Sequence, residues 1–225
     1  MKIGIMQPYF FPYIGYFQLI EAVDIFVNLE HVNFMKSSYM VRNTIKNNIP
    51  INIPVRHGSS NKTCTEISVI ANNHWFIKFE KKITQLYKKE KNFDLVFTHI
   101  IEPWKKNIIE SDNCTISEFN ISSIKQICKY LDMEKKFESS LNITNNKKNE
   151  ALKDIIKYYN CKQYINAIGG QKLYSKVDFA SEGIDLNFIK MNSLNIENPY
   201  YSILDSLFKY DKNKIKEELK KYELI

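Results

Sequence analysis

Arginine is nearly missing from this sequence: 30 of the 32 basic residues are Lys, and only Arg42 and Arg56 are Arg. Base-edge readout and planar phosphate clamping favour Arg. The net charge of +7 therefore reads as a solvated Lys surface, compatible with a small anionic ligand but not with a reader of duplex nucleic acid. No run of 18 or more apolar residues occurs, which excludes a transmembrane helix. Gly and Pro, six each, are too few for a fibrous or low-complexity chain. The four Cys, at 64, 114, 128 and 161, form no CxxC pair, so neither a metal-ligand spacing nor a disulfide framework is present. They read as reduced structural thiols of a cytoplasmic protein. No P-loop or G-x-S-x-G motif appears. His31, His57, His74 and His99 have no metal spacing, and no metal site is expected.

What the chain does have is an ordinary apolar fraction of 44% and a high aromatic content of 13% over 225 residues. That is enough to bury a core without staples. Asn is abundant at 24 residues, so the four N-x-S/T sequons are expected by chance. Gln7, Pro8 and Pro12 interrupt the apolar beginning, which reads as the start of a fold rather than a signal peptide.

Residues 2–6 (KIGIM) predict a buried strand, and 7–12 (QPYFFP) a loop that two prolines keep irregular. Residues 13–23 carry a helical apolar stripe, and 24–29 (DIFVNL) a second buried strand. This is a right-handed βαβ unit. Further strands are expected at 50–56, 65–70, 163–168 and 184–191, with a short extended piece near 138–141. Helices are expected at 74–89, at 93–106 with a break near Pro103, and at 115–131 behind a Thr cap. Others are expected at 145–159, 202–208 and 212–222. The reading is one α/β domain over residues 1–225: a Rossmann-like, mostly parallel core sheet with additional C-terminal helices.

In such sheets ligands bind beyond the carboxyl ends of the strands. The 7–12 loop lies there, making Gln7, Tyr9, Tyr13, Tyr16 and Asn28 candidate binding residues. Asn166, Gly169, Gly170 and Tyr174 follow a later strand. The two glycines let a ligand approach the backbone, or serve a turn needing positive φ. Lys172 supplies charge and is a candidate catalytic residue. Arg42 and Arg56, with Lys36 and Asn43 beside them, are candidate phosphate or carboxylate contacts. His57 follows a strand and Arg56, and is the acid/base candidate. Asp24 and Asp205 are the best carboxylates, with a turn or capping role equally open.

Six segments in order resemble one family: MKIGIMQPYFFPYIGYFQLI, DIFVNLEHVNFMKSSYMVRN, INIPVR, YINAIGGQKLY, GIDLNFIKM and YYSILD are similar to the WbqC-like family, nearly end to end. Its members lie among bacterial surface-polysaccharide (O-antigen) genes. The resemblance implies a transferase or ligase forming an amide, such as a glycyl amide, on an amino sugar or sugar nucleotide. The implied partners are a nucleotide-linked amino sugar and an amino-acid donor. The opening is also similar to the nucleotidylyl-transferase superfamily, to which pantothenate synthetases belong. There, a HIGH tetrapeptide stands where this chain has Tyr13-Ile14-Gly15-Tyr16, so both imidazoles are replaced by phenols. Lys172-Leu173-Tyr174-Ser175-Lys176 is loosely similar to that superfamily's second phosphate motif. This likeness implies ATP and Mg²⁺ with an acyl-adenylate; a pre-activated donor fits as well. The competing expectation is a non-catalytic sugar-nucleotide-binding or assembly protein of a polysaccharide complex.

Overall fold

A computed structural model describes residues 1–111, 113–144 and 146–225. Its centre is a six-stranded sheet built from β1 (Lys2–Met6), β2 (Ile25–Asn28), β5 (Lys136–Ser139), β6 (Gln163–Ala167), β7 (Asp185–Met191) and β8 (Tyr222–Leu224). The order is β5-β2-β1-β6-β7-β8. The first five are parallel neighbours, and β8 closes the β7 edge antiparallel. Counted along the chain, the parallel strands run 3-2-1-4-5, the doubly wound order with its reversal between β1 and β6. A separate hairpin, β3 (Arg42–Ile45) with β4 (Ile49–Asn52), lies outside this sheet.

Alternation along the strands divides the core between the two faces. Ile3, Ile5, Ile25, Val27, Tyr164 and Leu186 pack with α6 (Lys148–Tyr158) and Phe179 of α7 (Lys176–Ala180). Phe26, Ile165 and Ile189 turn to the other face. There they meet α1 (Ile14–Ala22), α2 (Asn73–Tyr87), α5 (Ile116–Tyr130), α8 (Ile203–Lys209) and α9 (Lys212–Glu218). Gly4 of β1 lets α1 sit close: a Cβ there would come 3.3 Å from Val23 and 3.4 Å from Leu19.

Several expectations are corrected. Residues 65–70 form no strand, only isolated bridges from Val69 to Val55 and from Ser68 to Thr115. The hairpin strand at Arg42–Ile45 and the edge strand β8 were not expected, and 212–222 is a shorter helix followed by β8. The helix through Pro103 does not break. Between α3 (Phe93–Val96) and α4 (Glu102–Ile109), residues Phe97–Ile101 form a π turn. Proline cannot donate to the carbonyl four residues back, and the His99 carbonyl instead accepts from Gln126 Nε2 at 2.6 Å. Gly169 and Gly170 do not take positive φ; they lie in a 3₁₀ turn, Ile168–Lys172. No helix among the described residues is long and apolar enough to cross a membrane.

Candidate functional site

The loop after β1 is irregular, yet Pro8, Phe10, Phe11 and Pro12 are buried. Buried carbonyls without a sheet or helix need other donors. Here each finds one. Tyr16 Oη donates to Gln7 O at 2.9 Å and Asn120 Nδ2 to Pro8 O at 3.0 Å. Asn43 Nδ2 donates to Phe10 O at 3.1 Å and Phe11 O at 2.7 Å, and Ile203 N–H to Pro12 O at 2.9 Å. Phe10 and Phe11 anchor the loop in an aromatic cluster, with Phe11 4.7 Å edge-on to Trp104 and Phe10 5.8 Å from Phe119. Phe11 holds φ at 40°. Such strain costs about 1–3 kcal/mol, comparable to the roughly 1.5–3 kcal/mol that burying a Phe side chain supplies.

This fixed loop forms one wall of a cavity of about 220 Å³ at the carboxyl ends of β1 and β6. It lies where the strand order reverses and on the α6 face of the sheet. Gln7, Tyr9, Asn166, Gly169, Gly170 and Tyr174 line it, together with Ile5, Met6, Leu29, Leu152, Tyr164, Ala167 and Leu173. Asn166 is held on both sides: its Nδ2 donates to Tyr164 Oη at 2.8 Å and its Oδ1 accepts from Ala167 N–H at 2.6 Å. A Cβ on Gly170 would press within 3.0 Å of Asn166 and 3.2 Å of Tyr174, so glycine there leaves both walls in place. Burial pushes the Tyr9 hydroxyl up to about 12, with Tyr13, Tyr39 and Tyr174 adding to it. Burial likewise raises Tyr174 and, more strongly, Tyr164. All three are phenols, hence donors, across the physiological range. The Tyr39 ring is tilted against Tyr9 with centroids 5.6 Å apart, and Tyr39 is itself exposed.

The remaining expected residues are elsewhere. Tyr16 is buried and bonded to the loop, and Asn43 is spent on two loop carbonyls. Neither presents its polar atoms to the cavity as expected. Tyr13 stacks on Tyr200 at 6.2 Å outside the cavity wall. Asn28 shares its sheet face with Phe26, opposite the cavity, and donates to Glu138 O at 3.2 Å. Lys172 is exposed on the 3₁₀ turn, next to the wall but not in it. Lys36 and Arg42 share a different cleft of about 480 Å³ beside the β3–β4 hairpin, with Phe34, Asn52 and Gly58. Arg56 does not close a strand of the main sheet. It lines a smaller cleft of about 290 Å³ with Val69 and Asn72, and its backbone N–H donates to Ser68 O at 2.9 Å. His57 is exposed, with φ at 50°, on the loop after Arg56 and away from the cavity wall.

One group escaped the sequence reading. Beyond β2, the buried Glu30 carboxylate accepts from Ser117 Oγ at 2.9 Å and, more closely, from Ser139 Oγ. Glu30 N–H donates to Ser140 Oγ at 2.9 Å, and Ser140 Oγ lies 3.0 Å from His31 Nδ1. Only the position of Glu30-His31 directly after a buried strand could have drawn attention to them. Among the described residues no cluster of three His, Cys, Asp or Glu side chains could hold a metal ion.

With the geometry in place, comparison with known proteins adds one match: the WbqC-like protein family, over residues 7–217. The chain belongs to the WbqC-like protein family. The match begins at the first residue of the fixed loop and includes every residue of the cavity wall from Gln7 onward. No curated protein and no solved structure matches the chain.

Proposed function

We propose that this WbqC-like protein binds a nucleotide-linked amino sugar at the β1–β6 cavity and forms an amide on its amino group. The product would be an aminoacyl, for example glycyl, sugar in bacterial surface-polysaccharide synthesis. The observation that carries the reading is the cavity itself. It lies at the reversal point of a doubly wound sheet, the ligand position of that architecture, and its wall combines aromatic rings, protonated phenols and an oriented amide. Its volume of about 220 Å³ is below the roughly 300–1,000 Å³ of a site for a whole drug-sized ligand. It suits one ring, a nucleobase or a pyranose, with phosphates at the mouth. In the reaction, the amine nitrogen attacks the activated acyl carbon, the C–N bond forms, and the C–O bond to the leaving group breaks. The amine proton passes to a base.

ATP with Mg²⁺ remains one source of the activated acyl group, a ready-made aminoacyl donor the other. Among the described residues the cavity wall has no carboxylate, whereas Mg²⁺ is usually held by one or two carboxylates besides phosphates and water; the wall offers it no protein ligand of that kind. Among the described residues the wall also has no Lys or His. That favours a second reading, a non-catalytic sugar-nucleotide-binding or assembly protein.

The test is a thermal-shift and calorimetric screen with ATP·Mg²⁺, UDP-N-acetylglucosamine and dTDP-glucose. A ligand at a hundred times its Kd stabilises by about 2.7 kcal/mol. A Cβ on Gly169 meets nothing within 4 Å, so Gly169→Leu should fold normally yet lose the shift, as should Tyr174→Ala. No shift with any nucleotide, or a shift unaffected by both variants, refutes the site. A shift without amide product by mass spectrometry selects the binding reading.

A further inference from the structure

Ser140 is fully buried, and its hydroxyl oxygen already accepts the Glu30 N–H. Its proton needs an acceptor, and among the described residues the one within reach is His31 Nδ1 at 3.0 Å. A neutral imidazole carries one N–H and one bare nitrogen. With Nδ1 accepting from Ser140, the ring proton sits on Nε2, the nitrogen on the far side of the ring. Nε2 has no partner among the described residues, and His31 is only partly buried.

The support beneath His31 is rigid. Glu30 is fixed through its N–H to Ser140, through its carbonyl, which accepts from Cys64 Sγ at 3.0 Å, and through its carboxylate to Ser117 and Ser139. Ser140 N–H in turn donates to Asn28 O at 3.1 Å, locking the end of β5 to the end of β2. A donor set in this way loses little freedom on binding. His31 follows Leu29 of the cavity wall by two residues, so their Cα atoms lie within about 7 Å of each other.

We propose that His31 is a ligand-binding residue: a neutral imidazole whose Nε2–H donates to the phosphate of the nucleotide seated in the adjoining cavity, with Ser140 as the residue that sets its tautomer. This rests on the nucleotide reading of that cavity. Among the described residues the cavity wall has no cation, so the phosphate would otherwise meet only phenols and amides on this side.

The experiment uses the full chain. Titrate ADP, UDP and dTDP, and the matching nucleosides, into wild type, His31→Ala, His31→Gln and Ser140→Ala. Record ¹⁵N imidazole spectra of the wild type at pH 7.5. The expected spectrum is that of the Nε2–H tautomer. His31→Ala should weaken the preferred nucleoside diphosphate by about tenfold or more, the usual effect of losing a hydrogen bond to a charged group, and leave the nucleoside unchanged. His31→Gln, which keeps an N–H near the Nε2 position, should recover most of the affinity. Ser140→Ala should weaken diphosphate binding and mix the tautomers. An Nδ1–H tautomer overturns the proposal, as does equal loss of diphosphate and nucleoside, or wild-type affinity in His31→Ala. Wild type that binds no nucleotide overturns the cavity reading as well, which separates the two failures.

Discussion

Asn43→Ala separates a structural amide from a ligand-reading one. In the folded protein Asn43 is buried, and its Nδ2 serves Phe10 O at 3.1 Å and Phe11 O at 2.7 Å while its Oδ1 accepts Thr44 N–H at 2.8 Å. Alanine strands two buried carbonyls. Each such group costs about 1–3 kcal/mol, so the pair amounts to about 2–6 kcal/mol. Thr44 is only partly buried, and its N–H can turn to water. Water entering the vacated volume lowers the figure, leaving about 3 kcal/mol as the expected loss. Against a total stability of about 5–15 kcal/mol this is severe. With an m-value of about 2 kcal/mol/M, the urea midpoint should fall by about 1.5 M. Equilibrium unfolding followed by tryptophan fluorescence reads it directly, since Trp75 and Trp104 pack in the same aromatic cluster as Phe10 and Phe11. A midpoint within 0.3 M (about 0.6 kcal/mol at that m-value) of wild type, together with weakened nucleotide binding, would refute the structural assignment and restore Asn43 as a ligand contact.

Gly15→Ala should destabilise although it lies in a helix: the new Cβ would stand 2.4 Å from the Tyr13 ring. Overpacking costs about 1–3 kcal/mol, set against a helix-propensity gain of about 1 kcal/mol. A double-mutant cycle with Tyr13→Ala should remove the penalty, and additive effects would sink the idea. Arg42→Lys should leave stability within about 0.5 kcal/mol, as for an exposed site, because Arg42 is exposed beside Lys36. Because that cleft is not the β1–β6 cavity, nucleotide affinity should not change; a fall of about tenfold, the loss expected for a bidentate phosphate contact, would move the phosphate site to the hairpin cleft. Burial pushes the Cys64 thiol, with help from Glu30, and the Cys114 thiol, with help from Glu118, up to about 12. A thiol-exchange reagent at pH 8 should therefore label neither until urea is added. Because unfolded thiols ionise near 9 while these stay protonated, the unfolded state binds fewer protons above that pH. Stability should decline as pH rises from about 9 towards 12, and a flat profile would count against the burial.

The sheet was largely legible because its strands are buried on both faces and therefore read as short apolar runs: KIGIM, DIFVNL and QYINAI announce themselves. The hairpin at Arg42–Ile45 was not, since RNTI is polar and owes its pairing to tertiary placement. Residues 65–70 alternate like a strand, yet Val69 and Ser68 bridge to different partners and no ladder forms. The site divides the same way. Gln7, Tyr9, Asn166, Gly169, Gly170 and Tyr174 follow strands β1 and β6, and adjacency in the sheet brings them together. Arg42, Lys36, Arg56 and His57 were singled out by rarity or by chemistry alone. Rarity has no direction in space, and the hairpin and the loop beyond it carry all four to other surfaces. Leu29, Leu152 and Tyr164 read only as core residues; that they also border a cavity depends on how α6 meets the sheet.

The tetrapeptide Tyr13-Ile14-Gly15-Tyr16 serves the structure of the loop and helix around it. It opens the helix after β1. Neither phenol is available as an imidazole substitute. Tyr16 is buried, and its Oη is committed to Gln7 O. Tyr13 lies over Gly15, where a side chain would collide, and stacks on Tyr200. Both tyrosines thus hold the Gln7–Pro12 loop and its surroundings in shape. A donor to an anion at this edge of the sheet must then come from another strand end. The carboxyl end of β2 offers His31, oriented by Ser140 through a bond that a freely solvated histidine would lack. The phenols fix the wall and the imidazole of the neighbouring strand meets the phosphate; the His31 and Ser140 variants test that division of labour.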